Sequence, residues 1–275
     1  MKTFSKSLLL TALCLLSFTT AQAQYKNNRS TAPDDPTGFV MITDAVPDAI
    51  LEIRYHTTYN FVGARIDGYQ EPVALLTREA ATALKKASDM LKEQGYRIKV
   101  FDAYRPQCAV SNFVRWAEAV NDTLMKPYFY PELKKNVLIP EYIASKSGHS
   151  RGSTIDLTIF DMRTGKEVDM GGTFDWFGIE SHPDFCGNPD TGKYTGGVSP
   201  AGRYITPEQF ANRMILRRAM LASGFKPLDS EWWHFTLKGE PYPQHLFHLP
   251  RANPSPHPRR PPLRRLLTHP SSVGS

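Results

Sequence analysis

Four polar side chains, supplied by two separate stretches of the chain, are of the types that bind and use a metal ion. The stretch SGHSRGSTID contains His149 and Asp156, seven residues apart, and the stretch EWWH contains Glu231 and His234. Zinc sites that catalyse hydrolysis usually have three protein ligands from His, Asp or Glu and keep one position open for water. His149, Asp156 and His234 could supply those ligands, since Gly152 allows a tight turn between the first two.

Each of these residues also has a simpler explanation. A lone histidine in a loop is more often an ordinary polar residue, and Asp156 in an apolar strand could be a structural carboxylate. A buried carboxylate without a partner is costly, however, so Asp156 needs a partner, and a metal ion would serve. Glu231 by itself would be an exposed glutamate at the start of a strand. Beside a metal, it could take a proton from the attacking water and return it to the leaving amine.

Strands are expected on both sides of this candidate site. Residues 154–160 (TIDLTIF) and residues 231–237 (EWWHFTL) predict two strands, and residues 162–165 (MRTG) turn the first of them back. Residues 97–104 (RIKVFDAY) alternate in polarity and predict a third strand. Helices flanking antiparallel strands indicate an α+β domain rather than a parallel sheet.

Three helices are expected around these strands. Residues 73–96 contain apolar residues at spacings of four and three, with Gly95 at the helix end: Ala80, Leu84, Ala87 and Leu91. Arg105-Pro106 opens a second helix that continues through residues 108–120. The sequence TPEQ from Thr206 has the form of a capping box with proline at the first helical position, and predicts a helix to about Ser223.

The two ends of the chain differ from this body. Residues 1–23 have two lysines, an apolar run and an Ala-Gln-Ala ending, which predicts a signal peptide cleaved after Ala23 and an exported, periplasmic or secreted protein. Residues 24–37 predict a polar linker and residues 38–250 a single domain. Residues 251–275 are rich in arginine and proline and are expected to be a disordered tail.

The net positive charge of the chain comes from residues outside the predicted domain. The formal charge is +6, but the tail holds five arginines and the signal two lysines, so residues 24–250 carry −1. This near-neutral body argues against a nucleic-acid partner, and no stable membrane insertion is expected after signal cleavage. Cys108 and Cys186 could pair after export but form no disulfide framework. Cys108 is expected to be a small buried residue in a helix.

Three motifs together resemble one enzyme family. FDAYRP, SGHSRGSTID and EWWH, in this order and spacing, are similar to motifs of the D-alanyl-D-alanine dipeptidases, the VanX-like zinc metallopeptidases of cell-wall metabolism. The resemblance covers residues 38–249. It implies the D-Ala-D-Ala peptidase (hedgehog-like) fold, a single domain with an antiparallel sheet flanked by helices and one zinc ion per chain bound at the sheet.

The resemblance also assigns roles to individual residues. It places the zinc ligands on His149, Asp156 and His234, and the general base on Glu231. It assigns Arg105 to stabilising the oxyanion, a role in which a fixed guanidinium favours the transition state over the ground state. The match is less specific for Ser147 and Asp175. Both are expected to contact the dipeptide, and Asp175 is expected to bind the ammonium group of the dipeptide. Asp102 and Phe113 could shape the pocket around Arg105 or serve only in packing.

Three functions are compatible with these residues. The first is zinc-dependent hydrolysis of the small dipeptide D-alanyl-D-alanine to two D-alanines, in cell-wall turnover or precursor control. The second is a related D,D- or L,D-carboxypeptidase that acts on peptidoglycan stem peptides. The third is a non-catalytic zinc domain that binds peptidoglycan fragments. Decayed enzymes usually lose the base or the oxyanion-binding group, and both Glu231 and Arg105 are present.

Overall fold

The computed structural model describes residues 36–249, which belong to one compact unit of mixed helices and strands. The strands in this described part are β1 (Phe39–Met41), β2 (Ile50–Leu51), β3 (Leu75–Thr77), β4 (Tyr96–Asp102), β5 (Thr154–Asp161), β6 (Lys166–Glu167), β7 (Gly187–Asn188), β8 (Lys193–Tyr194), β9 (Phe225–Leu228) and β10 (Glu231–Leu237). The α-helices are α1 (Ile42–Ala45), α2 (Arg78–Lys92), α3 (Gln107–Glu118), α4 (Lys126–Phe129), α5 (Leu138–Glu141) and α6 (Pro207–Ala222).

The main sheet has the order β2-β4-β5-β10-β9, with β6 folded back onto the end of β5. All of its neighbouring strands are antiparallel except β2 and β4, which are parallel. Two small two-stranded sheets, β1 with β3 and β7 with β8, complete the described strands. The predicted α+β domain is therefore confirmed as a mixed single domain whose sheet is mainly antiparallel.

The two faces of β5 have different roles. Ile155, Leu157 and Ile159 are fully buried in the main hydrophobic core, which also contains apolar residues of α2 and α6. The alternate residues, Thr154 and Asp156, lie on the opposite face because side chains along a strand point to alternate sides. One face of the sheet is thus covered by helices, and the other is available for polar residues.

Helix α2 begins later than the sequence predicts. Residues 75–77 form β3, which pairs with β1, and Thr77 then caps the helix by accepting a hydrogen bond from the Ala80 amide at 3.4 Å. The expected core face is confirmed, since the four apolar residues at helical spacing are fully buried: Ala80, Leu84, Ala87 and Leu91. The prediction from residue 73 was wrong because Leu75 and Leu76 satisfy the helical pattern and a buried strand equally well.

Helix α6 and strand β10 agree closely with the sequence. Thr206 and Gln209 form the predicted capping box, and the helix ends at Ala222, just before Gly224, whose φ is 97°. Strand β10 occupies the predicted residues. Residues 171–203 contain the hairpin β7–β8, whose strands are only two residues long and therefore have no periodicity that the sequence could show.

The two cysteines of the domain differ in exposure, and one of them departs from the prediction. Cys108 is exposed rather than buried, because the buried face of α3 is formed by Ala109, Phe113 and Trp116, and Cys108 lies off it. Cys186 is buried, and both thiols are free rather than paired. No helix in the described range 36–249 is both long and apolar enough to cross a membrane. The predicted signal peptide, most of the linker and the tail lie outside the described residues.

Candidate metal centre and active site

Strand pairing brings two of the predicted ligands together. Asp156 on β5 and His234 on β10 are direct partners in the antiparallel register. His149 reaches the same point from the 3-10 turn Gly148–Arg151, after which Gly152, with φ of 80°, redirects the chain into β5. A Cβ atom at Gly152 would lie 2.4 Å from the ring of Phe39, so glycine is required there by space as well as by conformation.

The three side chains converge on one point. His149 Nε2 lies 3.2 Å from Asp156 Oδ2, and His234 Nδ1 lies 3.1 Å from Asp156 Oδ1. The two imidazole nitrogens are 3.3 Å apart, and one ligand atom from each residue lies within 4.8 Å of the others. His149 and Asp156 are buried, and the His234 side chain is 15% exposed. The predicted triad is therefore a geometric cluster open to the solvent on one side.

The cluster fits a divalent metal ion on three counts. Asp156 Oδ1 is buried and, although His234 Nδ1 lies 3.1 Å away, no described residue gives it a hydrogen bond of good geometry, which is costly unless a cation occupies the site. His149 Nδ1 lies 2.7 Å from the Ala103 carbonyl oxygen, and an N–H donated there leaves the Nε2 lone pair directed at the cluster. Two histidines and one carboxylate are also a donor set that suits zinc.

Charges within the cluster reinforce this interpretation. Burial by itself raises the pKa of Asp156, but His149 and His234 outweigh it and hold that pKa below its usual range. Burial by itself lowers the pKa of His234, but the carboxylates of Asp156 and Glu231 outweigh it and raise that pKa to about 9. The cluster therefore attracts a cation strongly, and a metal ion would compete with the proton on His234.

A bulge in β10 places Glu231 beside the cluster. In a regular strand, Glu231 and His234 would point to opposite faces, since they are three positions apart. On β9, however, Pro227 pairs with Phe235 and the next residue, Leu228, pairs with Glu231, so residues 232–234 bulge out. Glu231 Oε2 consequently lies 3.3 Å from His234 Nδ1, and the glutamate side chain is 21% exposed. It is a carboxylate that both the cluster and incoming water can reach.

Arg105 occupies the other side of Asp156. Its Nε donates to Asp102 Oδ2 at 3.0 Å, and its Nη2 lies 3.7 Å from Asp156 Oδ2. The guanidinium carbon is 5.0 Å from the ring centre of Tyr55 and 5.2 Å from that of Phe113. Burial by itself lowers the pKa of Arg105, but Tyr55 and Asp102 outweigh it and raise that pKa. The guanidinium is therefore a fixed positive charge in the cavity.

Asp102 and Phe113 both lie against Arg105, and Phe113 also belongs to the hydrophobic core, so both of their expected roles, shaping the pocket and packing, stay open. Asp102 is fully buried and also accepts a hydrogen bond from the Tyr69 hydroxyl at 2.8 Å. Sequence reasoning missed Tyr55 and Tyr69, which come from residues 54–69, far from the recognised motifs. Neither has a spacing relative to those motifs that would have identified it.

Asp175 and Tyr55 form a polar pair at the cavity wall. The Tyr55 hydroxyl donates to Asp175 Oδ2 at 2.9 Å, and Asp175 is buried with a positive φ of 62°. A non-glycine residue in this conformation is uncommon and marks a constrained position. Burial, followed by the negative charge of Asp156, raises the pKa of Asp175 well above its usual value. A cation placed beside this carboxyl group would favour its ionised form.

One cavity of about 460 Å³ contains every residue predicted for the site. Ser147, which begins the Gly148–Arg151 turn and accepts a hydrogen bond from the His149 amide at 3.2 Å, also lines it. The remaining lining includes apolar groups, basic groups and one edge of the sheet: Phe61, Phe113, Tyr142, Ile143, Ala144, Lys146, Arg151, Phe177, Lys226, Pro227, Leu228 and Thr236. The cavity is therefore large enough for a small organic substrate.

Comparison with known proteins adds independent information about this chain. A family model described as D-ala-D-ala dipeptidase matches residues 35–252. A D-alanyl-D-alanine dipeptidase of Enterococcus faecium is 36% identical over 78% of this chain and 98% of its own length. Proteins of the same description from Enterococcus faecalis and Streptomyces coelicolor are 37% and 34% identical, over 77% and 78% of this chain and 97% and 98% of their own lengths.

Proposed function

The chain belongs to the D-ala-D-ala dipeptidase family of metallopeptidases, and on that premise we propose that it hydrolyses D-alanyl-D-alanine to two D-alanines with the help of zinc. The observation that carries the proposal is the convergence of His149, Asp156 and His234 beside Glu231 and Arg105 in one cavity. We call these five residues the reaction centre. They combine a metal-binding group, a base and a fixed positive charge, which are the components that peptide hydrolysis by a metallopeptidase needs.

His149, Asp156 and His234 would hold one zinc ion at the face of the main sheet. Two of these residues stand on paired strands and the third is oriented by the Ala103 carbonyl, so the ligand positions are fixed before the ion binds. Zinc, when bound, would polarise the scissile carbonyl and lower the pKa of the attacking water.

Glu231 is the proposed general base. Its carboxylate is partly exposed and lies beside the metal-binding group, where it can accept a proton from the attacking water. The same carboxyl group then returns the proton to the leaving amine, so that the second D-alanine departs as a neutral amine. General acid–base assistance of this kind contributes typically about 10²- to 10⁴-fold to the rate.

Arg105 is proposed to bind the oxyanion that develops as the carbonyl carbon becomes tetrahedral. Its Nε is anchored by Asp102, so the guanidinium does not have to reorganise when negative charge appears. Loss of one such donor typically raises the barrier by about 2.7–4 kcal/mol. The rings of Tyr55 and Phe113 border the guanidinium and limit its contact with water.

Tyr55 and Asp175 are proposed to bind the substrate ammonium, and we call this pair the ammonium end of the cavity. A buried carboxyl with a raised pKa gains most from an incoming cation, which offsets the cost of ionisation. Ser147 is proposed as a further substrate contact, because it lines the cavity next to His149. A requirement for a free ammonium group would favour a dipeptidase over an enzyme that acts within longer chains.

A carboxypeptidase that acts on stem peptides is the second candidate. The cavity volume of about 460 Å³ lies in the range of pockets that take drug-sized ligands, and D-alanyl-D-alanine is much smaller than such ligands. The burial of Asp175 counts against this candidate, since a longer peptide would extend through the ammonium end. A non-catalytic peptidoglycan-binding domain ranks third, because both Glu231 and Arg105 lie in the cavity.

We also propose export, from the N-terminal sequence alone, and a role in cell-wall turnover outside the cytoplasm. The signal-like residues 1–23 support this location. Fractionation of cells that express the full chain would test it. Recovery of shortened protein outside the cytoplasm is expected, and full-length protein confined to the cytoplasm would contradict export.

The proposed activity is tested by measuring D-alanine released from D-alanyl-D-alanine and, separately, from a stem pentapeptide ending in that dipeptide. Zinc-loaded protein is expected to cleave the dipeptide much faster than the pentapeptide. Cleavage of the pentapeptide alone would move the protein to the carboxypeptidases. Inactivity on both substrates with zinc bound would favour the third candidate function, a non-catalytic domain that binds peptidoglycan fragments.

A further inference from the structure

Arg151 is a cavity residue that the proposed mechanism does not use. It ends the turn Gly148–Arg151 that carries the proposed ligand His149, and it lines the cavity. Its Nε donates to Glu240 Oε2 at 2.8 Å, and the two side chains are only 24% and 10% exposed. The terminal guanidinium nitrogens have no hydrogen-bond partner among residues 36–249. A largely buried arginine is thus anchored at one nitrogen with two more nitrogens available.

Arg151 and Arg105 are held in the same manner. Each donates its Nε N–H to a carboxylate, Glu240 for the former and Asp102 for the latter, and both arginines line the cavity. Anchoring through Nε leaves the terminal nitrogens of a planar guanidinium to receive an anion, commonly a carboxylate in bidentate geometry. The two arginines differ in place, since only Arg105 lies within 4 Å of a proposed metal ligand, Asp156.

The position of Arg151 follows from the strand register. Thr154 and Thr236 are paired one step along from Asp156 and His234, on the same face, and their hydroxyls are 2.9 Å apart. Same-face neighbours on a strand are separated by about 7 Å. A Cβ atom at Gly148 would lie 3.1 Å from Thr154 Oγ1 and 3.3 Å from Arg151 Nη2, so Arg151 lies at the threonine side of the metal-binding group.

Basic side chains also line the cavity with Arg151. Lys146 and Lys226 are exposed, and Lys226 belongs to β9, the edge strand that pairs with β10. The opposite polarity occurs at the ammonium end, where Asp175 is buried against Tyr55. A dipeptide has a positive group at one terminus and a negative group at the other, with the scissile bond between them. A cavity with these charges can therefore orient it.

We propose that Arg151 binds the C-terminal carboxylate of the substrate and makes the enzyme selective for dipeptides that end in a free carboxylate. The proposal rests on the proposed dipeptidase function and deepens it. We call Arg151 with Lys146 and Lys226 the carboxylate end of the cavity. Only one residue separates the scissile carbonyl from that carboxylate. This separation matches a subsite beside Thr154 and Thr236, the residues next to Asp156 and His234 on the same face of the sheet.

The test compares D-alanyl-D-alanine with its C-terminal amide, using release of the N-terminal D-alanine as the readout for both substrates. The wild-type protein is expected to favour the acid over the amide by about 10- to 100-fold in kcat/KM, the scale of a charge-assisted contact. Arg151→Gln is expected to raise KM for the acid by a similar factor with kcat nearly unchanged. It should leave the amide almost unaffected, and Arg151→Lys should recover part of the preference.

Arg163→Gln is the matched control, because Arg163 is an exposed arginine paired with Asp161 away from the cavity. It should retain the wild-type acid-to-amide ratio. A purely structural role for Arg151 predicts that Arg151→Gln lowers activity on both substrates equally and lowers the melting temperature. Either that result or an unchanged ratio in Arg151→Gln would overturn the proposal.

Calorimetric titration of the same two ligands separates this proposal from the proposed function. Wild-type protein that binds the acid more tightly than the amide, with the preference lost in Arg151→Gln, would support the carboxylate end even without turnover. Absence of hydrolysis would then count against the dipeptidase function only. Equal binding of acid and amide by wild-type protein would overturn the carboxylate end whatever the activity.

Discussion

Asp156 and His234 stand opposite each other on two paired strands, whereas Tyr55 and Asp175 come from a 3-10 turn and a loop more than 100 residues apart. The first pair is positioned by backbone hydrogen bonds along the main sheet. The second pair is positioned by one side-chain hydrogen bond and by the rings packed around Tyr55. The strand register therefore positions two of the three proposed metal ligands, whereas side-chain contacts of connecting segments position the residues at the ammonium end.

The strongest test of this division is Asp156→Asn, which keeps the shape of the side chain and removes its charge. We expect loss of bound zinc and a decrease in kcat/KM of at least about four orders of magnitude, because several kcal/mol of Lewis-acid stabilisation are lost with the metal. Metal analysis and D-alanine release on the same sample measure both effects. Retained zinc with wild-type activity would exclude Asp156 as an essential ligand.

Removal of the metal from wild-type protein should reproduce this result reversibly. Dialysis against a chelator is expected to abolish D-alanine release, and stoichiometric zinc is expected to restore it, since the ligands are already in position. Chelator-treated Asp156→Asn serves as the control that zinc should not rescue. Full activity of verified zinc-free wild-type protein would contradict a metal-dependent reaction.

Replacement of the base should affect the chemistry and spare the metal. Glu231→Gln is expected to lower kcat by about 10³-fold, within the range for general acid–base catalysis, with zinc content unchanged. Glu208→Gln is a matched control, because Glu208 lies in the first turn of α6 and does not line the cavity. If Glu231→Gln lost zinc together with activity, Glu231 would be a ligand rather than a base.

Arg105→Lys should have a somewhat smaller effect on the reaction. A lysine retains the positive charge but cannot both donate to Asp102 and direct a second planar N–H at the oxyanion. We expect a decrease of about 10²- to 10³-fold in kcat with little change in KM. A variant that changes KM alone would assign Arg105 to ground-state binding of the substrate instead.

The smallest expected effect is at the ammonium end. Asp175→Asn should raise KM for the dipeptide by about 10- to 100-fold and leave kcat nearly unchanged, because one charge-assisted contact is lost. The raised pKa of Asp175 also predicts a pH dependence. The ammonium binds the ionised form, so wild-type KM should rise as the pH falls through that pKa.

The pH dependence separates a recognition role of Asp175 from a structural one. The variant has no titrating carboxyl at this position, so this component of the KM profile should be flat in Asp175→Asn. A KM profile that is the same in wild type and variant, or a fall in kcat alone, would remove Asp175 from substrate recognition.

Sequence reasoning succeeded where a local pattern determines the structure. The alternation in TIDLTIF, the capping box at Thr206 and the strand EWWHFTL all correspond to observed elements. The three motifs contain six of the seven predicted site residues, all of which line the cavity, and the seventh, Asp175, lies outside them. It failed where two structures share one pattern. Leu75 and Leu76 fit the helical periodicity but form β3, and Cys108 was expected on the buried side of a helix whose exposed side it occupies.

Features that depend on tertiary contacts could not be predicted. The bulge that brings Glu231 within reach of His234 appears only in the pairing of β10 with β9. Tyr55 enters the site through a hydrogen bond to a residue 120 positions away, and Arg151 is anchored by a glutamate 89 positions away. Separations of this size leave no periodicity in the sequence. The chemical type of a ligand and its position in a strand, by contrast, can be recognised from the sequence.

The most direct test of the central claim measures zinc content and D-alanine release in the same preparations of wild-type protein and Glu231→Gln. We expect one zinc ion per chain in both proteins, rapid cleavage of D-alanyl-D-alanine by the wild type, and loss of nearly all cleavage in the variant. Equal cleavage by both proteins, or cleavage by wild-type protein that binds no metal, would contradict a reaction in which Glu231 acts beside a metal held by His149, Asp156 and His234.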